Sequence, residues 1–166
     1  VTPIDLLRRA GVNAKLVSVT ESKAVTGAHG VTYQADLLFE EIEPDADMLV
    51  LPGGMPGTTH LQAHKGLAEL LLAQHAAQRW VCAICAAPMV LGSLGILQSK
   101  RATIYPGMEE HLQGATPLAD EVVIDGNIVT SRAPGTAIPF ALALVRLLTD
   151  EQTAAALTDD IVFRKA

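Results

Sequence analysis

The chain has 166 residues, of which 49 % are hydrophobic and 18 % charged, enough for one well-buried globular domain and too apolar for a disordered one. A net charge of −6 and a pI near 5.2 argue against a nucleic-acid partner or an anionic membrane surface, because there is no basic patch to neutralise phosphates. Two cysteines do not make a disulfide framework, and with aromatics at 4 % the core must be aliphatic.

The opening "VTPIDLLRRAG" is amphipathic and charged, unlike a secretory signal. Thr2, Pro3 and Asp5 suit an N-cap, a first-turn proline and a first-turn acid, and the helix should end at Gly11. "AKLVSV" (14–19) is predicted as a short strand, and the polar stretch 21–35 as a strand pair around Val25 and Val31 to Tyr33. "DMLVLPGG" (47–54) is a continuous apolar run closed by Pro-Gly-Gly, as expected of a strand buried on both faces. Residues 58–78 have a helical pattern, with Leu61, Leu67, Leu70, Leu71 and Leu72 as the apolar face. "RWVCAI" (79–84) is the next buried strand, and a helix follows over about 87–94. "RATIY" (101–105) is predicted as a strand and "GMEEHLQ" as a short helix. Residues 121–131 form a hairpin with Asp125-Gly126 as its turn, 135–149 a nearly all-apolar buried helix, and about 150–157 a last helix.

Strands thus alternate with helices, and the apolar strands show little alternation, which is the pattern of a mostly parallel sheet covered on both faces. There is no internal repeat or linker. The uncharged stretch from Trp80 to Ser99 is long enough to span a bilayer, but Pro88, Gly92, Ser93 and Gly95 and its strand-like start oppose that, so a cytoplasmic protein without membrane contact is expected. The chain opens directly on a helix. A doubly wound fold normally has a strand before it, so a first, central strand is expected to be missing here, leaving a slot in the sheet.

Three stretches invite chemistry. "CAICAAP" (82–88) holds Cys82 and Cys85. Zinc needs about four suitably spaced ligands, and no second Cys pair or His-x-His is present, so no metal is expected. A thioredoxin-like pair would start a helix, whereas Cys82 falls inside the apolar strand. Cys85 falls where the strand pattern stops, with Pro88 suited to the first helical turn and Ala83, Ala86 and Ala87 all small. That is the pattern of a strand–nucleophile–helix corner, with alanines for glycines and Cys for Ser. A helix N-terminus favours a thiolate there, making the sulfur nucleophilic and oxidisable; a plain core cysteine is equally compatible with the local pattern. In "LPGG", Gly53 and Gly54 follow a buried strand, where a backbone N–H can serve an oxyanion or simply close a turn. Tyr105 stands at the end of "TIY" and Arg132 in the turn "TSRAPGT", where it can face a ligand, bind carbonyls or meet a partner subunit. Among the histidines, His64 and His75 fit a solvated helix face, and His60 and His111 lie near loop ends; His29 carries no signal.

Together "DLLRRAG", "VLPGG", "AICAAP" and "TSRAPGT", in this order and spacing, resemble the ThiJ/PfpI family, which includes the parkinsonism-associated protein deglycase. The resemblance covers nearly all of the chain. It implies a flavodoxin-like three-layer sandwich related to class I glutamine amidotransferase domains, and a homodimer. It implies Cys85 as nucleophile and Gly54 and Ala86 N–H as oxyanion donors; Gly53, Tyr105 and Arg132 are expected around the substrate, and no cofactor is expected. The peptidase-like branch has a histidine after the nucleophile where this chain has Ala86, and amidotransferases have a late His-x-Glu that is absent after Arg132, so both activities are unexpected. The deglycase branch often has a histidine where Tyr105 stands, and a phenol is a poor base near neutrality. The family's glutamate after its first strand would precede Val1, and Glu21, Glu40 and Glu41 do not match it. Two functions remain: a glyoxalase or deglycase acting on small α-oxoaldehydes or their protein adducts, and a redox-responsive sensor or chaperone that works by oxidation of Cys85. A catalytically silent family member is the bland third.

Overall fold

A computed structural model describes residues 1–43 and 45–164. In chain order these form α1 (Thr2–Arg9), β1 (Val17–Ser18), β2 (Ala24–Thr26), β3 (Thr32–Gln34), β4 (Leu37–Leu38), β5 (Met48–Leu51), α2 (Gly57–Ala63), α3 (Lys65–Ala76), β6 (Trp80–Ile84), α4 (Pro88–Ser93), β7 (Arg101–Ala102), β8 (Thr116–Pro117), β9 (Val122–Asp125), β10 (Ile128–Ser131), α5 (Ala137–Leu148) and α6 (Glu151–Asp160). The principal sheet has the order β5-β6-β10-β9, parallel except for β9. The pairs β1/β4, β2/β3 and β7/β8 stand apart from its ladder, and within it β5 bonds to β6 alone.

The apolar run of β6 is explained by the two layers around it. Val81 and Ala83 pack into a core with Leu67 and Leu71 of α3 and Val90 and Leu91 of α4. Cys82 and Ile84 point the other way, into a core with Leu6 and Leu7 of α1 and Phe140, Leu144 and Val145 of α5. A period of two along the strand therefore feeds two hydrophobic layers, and neither face tolerates a polar side chain. This is the flavodoxin-like sandwich, with α1, α5 and α6 on one side and α2, α3 and α4 on the other.

Several boundaries differ from expectation. The α1 cap is Val1 and makes no side-chain bond, so Thr2 already lies in the helix. After it, Gly11 takes φ 78° while its N–H bonds to Arg8 and that of Val12 to Leu7, closing the helix end as foreseen. The predicted strand 14–19 contracts to Val17–Ser18. The single helix expected over 58–78 is two, broken at His64, whose Nδ1 accepts from Leu67 N at 3.0 Å while its ring lies 4.5 Å from that of Phe39. His64 is thus a helix cap, not a solvated side chain, and the Nδ1 of His75 is also buried. Leu72, assigned to the apolar face, is exposed. Only Arg101–Ala102 of "RATIY" pairs as a strand, because the next donor, Thr103 N, goes to the side chain of Thr130 at 2.9 Å. The hairpin turn is Gly126-Asn127, one residue later than expected, with Gly126 at φ 61°. The last helix runs on to Asp160. No helix among the described residues is long and apolar enough to cross a membrane.

Candidate active site

The strand β6 ends at Ile84, and Cys85 turns the chain toward α4. Cys85 has φ 65°, in the left-handed region that a side chain disfavours. Two distant segments hold it there. Its N–H donates to Ser131 O at 2.9 Å, and its carbonyl accepts from Tyr105 N at 2.9 Å. The backbone then bonds onward, Ala87 N to Ile84 O, and α4 starts at Pro88. Ala83 and Ala87 are fully buried and Ala86 almost so, which leaves the corner no room for larger neighbours. The corner expected from "CAICAAP" is present.

The glycines after β5 close on it. A Cβ on Gly53 would stand 2.6 Å from Cys85 Cβ, 2.7 Å from Ile84 O and 2.9 Å from Ala86 N, so only glycine allows this approach. Gly54 has φ 96° and open space around it, and its carbonyl accepts from both Thr58 N and Thr58 Oγ1 at the start of α2. Among the described residues, neither Gly54 N–H nor Ala86 N–H donates to another protein group.

The two sulfurs differ sharply. Cys82 is fully buried, and burial pushes its thiol well above its ordinary value, so it stays protonated. Cys85 is partly open, and no hydrogen bond from a described residue reaches its Sγ. Tyr105 reaches Cys85 through its backbone, while the residue as a whole is 46 % exposed. Arg132 follows Ser131, donates from Nη1 to Ala119 O at 3.1 Å, and lowers the pKa of Glu109 by its charge, behind two larger contributions from backbone N–H groups at Glu109 and Gly107. The loop bearing Glu109 is pinned by α4, where a Cβ on Gly92 would overlap His111 O. His60 lies within α2 and His111 in this short turn. Ser131 and Glu109 were not singled out from the sequence; the adjacency of Ser131 to Arg132 in "TSRAPGT" is the one local hint. No group of three His, Cys, Asp or Glu among the described residues forms a metal site. A groove of about 900 Å³ between β9, α5 and α6 shares no residue with this corner.

Comparison with known proteins follows the same line. The DJ-1/PfpI family model matches residues 1–147. The chain belongs to the DJ-1/PfpI family. It is 38 % identical to the DJ-1 homolog B of Arabidopsis thaliana over 99 % of its own length, but spans only 38 % of that plant protein. It is 36 % identical to a deglycase of Pyrococcus abyssi, covering 88 % of this chain and 89 % of that one. The structure of oxidised Toxoplasma gondii DJ-1 superposes with a TM-score of 0.94 at 32 % identity, covering 99 % of this chain and 90 % of that one. The DJ-1 likeness thus extends over the whole fold.

Proposed function

We propose that this DJ-1/PfpI chain is a cysteine-dependent glyoxalase or deglycase, acting as a homodimer on small α-oxoaldehydes or on their adducts with proteins. The observation that carries the reading is the left-handed Cys85 at a strand–helix corner closely approached by Gly53, with the N–H groups of Gly54 and Ala86 donating to no other group among the described residues. The deglycase name of the Pyrococcus abyssi relative agrees with it.

In this mechanism the Cys85 thiolate adds to the aldehyde carbon. A C–S bond forms, the carbonyl π pair moves to oxygen, and the resulting alkoxide is held by Gly54 and Ala86 N–H until it takes a proton. Backbone donors of this kind lower the cost of reorganisation as the charge develops. Gly53 brings the loop close enough for this pairing, and Tyr105 and Arg132 line the approach.

The decisive measurement is methylglyoxal consumption by wild type and Cys85→Ser. Serine keeps the shape and removes the thiolate, so the rate is expected to fall by about a thousandfold or more. Equal rates would remove Cys85 from the reaction. A redox-responsive role without turnover uses the same sulfur, and it predicts no methylglyoxal consumption above background by either protein.

A further inference from the structure

We propose that Ser131 is a positioning residue that sets the conformation of Cys85 without touching substrate; this deepens, and rests on, the assignment of Cys85 as nucleophile. Ser131 ends β10 opposite Ile84 and is fully buried. Its carbonyl is the acceptor for Cys85 N–H, so the location of this peptide sets one of the two clamps on the corner, the other being Tyr105 N.

The Ser131 side chain ties that peptide further, beyond its ladder pairing with β6 and β9. Ser131 Oγ donates to Glu121 O at 2.7 Å, just before β9. It also lies 2.8 Å from Thr136 Oγ1. A serine hydroxyl has one proton, and with that proton on Glu121 O the second contact draws on the single Thr136 proton, which Ala133 O at 2.9 Å also accepts. Thr136 Oγ1 accepts from Ala133 N at 3.0 Å, closing the turn that leads into α5. A chain of bonds therefore runs from the β9 end, through two hydroxyls, to the start of α5. The Ser131 carbonyl sits in its middle. A φ of 65° is disfavoured for cysteine and must be held from outside, so a shift of the Ser131 carbonyl frees the N–H side of the corner while Tyr105 N still holds its carbonyl. The sulfur would then turn away from the Gly54 and Ala86 N–H groups.

The test is the rate at which iodoacetamide alkylates Cys85, with thiolate sulfur displacing iodide, measured against pH by peptide mass spectrometry alongside kcat and KM for methylglyoxal. Ser131→Ala is expected to slow alkylation and lower kcat by about tenfold, with KM within about threefold, because misplacement acts on the reacting geometry. Ser131→Thr keeps the hydroxyl and is expected to recover most of the rate. Asp150→Ala removes the Asp150 Oδ1 acceptor that caps α6, so it weakens the fold away from the corner and should leave the alkylation profile unchanged. A Ser131→Ala profile equal to wild type, or slowing shared equally by Asp150→Ala, would overturn the proposal. Should Ser131→Ala fail to fold, Thr136→Val takes its place: it keeps the Glu121 bond, a smaller loss in the same direction is expected, and no loss overturns the idea. A wild type in which Cys85 reacts no faster than Cys82 defeats the nucleophile assignment itself, and the positioning role with it.

Discussion

Gly53→Ala is expected to abolish Cys85 chemistry while leaving a folded protein. The added methyl would meet Cys85 Cβ, Ile84 O and Ala86 N, all within 3 Å. None of these is the far end of a flexible side chain, so none can swing aside. Relief requires the 52–54 loop to lift or the Cys85 corner to move, and either breaks the spacing between sulfur and oxyanion donors. A misplacement of about 1 Å is enough to lower rate by about a hundredfold. Methylglyoxal turnover and Cys85 alkylation should therefore collapse together, with near-UV circular dichroism close to wild type. Full activity in the variant would show that the loop's close approach is not needed.

Phe140→Ala is expected to produce the largest loss of stability. Phe140 is fully buried in α5, in the core that includes Leu6, Leu7, Cys82 and Val129. It heads the largest fully buried side chains among the described residues. Removing a buried phenyl ring costs about 3–5 kcal/mol through lost transfer energy and the residual cavity. For a domain of this size that corresponds to a Tm lower by roughly 6–20 °C. Scanning calorimetry reads this directly, and a change below the low end would mean that α1 and α5 collapse onto the space. Cys85 packs at the edge of the same core, so looser packing there should also raise its reactivity spread.

The parts of this fold legible in the sequence are those whose cause is local. "DMLVLPGG" and "WVCAI" read as strands because both faces must be apolar when helices cover both sides. The Cys85 corner is legible because a reversal after a strand demands small residues, and Ala83, Ala86 and Ala87 supply them. What was missed is set across long stretches of chain. Leucines from Leu61 to Leu72 fit one helix, and only the fold shows that His64 interrupts them by turning its ring back to cap Leu67. "RATIY" has strand composition throughout, yet Thr103 N finds a side-chain acceptor on β10 instead of a neighbouring strand. The two clamps on Cys85 come from Ser131 and Tyr105, and no pattern near Cys85 names either partner.

The alternation along β6 has a further consequence. It sends Cys82 into the layer beneath α5 and leaves Cys85 at the open end, so two thiols three positions apart differ entirely in their access to water. A small thiol reagent should therefore count one sulfur in the folded protein and two in the unfolded chain. The second equivalent appears only when the sheet parts from α1 and α5, which gives the molecule an internal gauge of its own opening, read in the same titration that reports on its reactive sulfur.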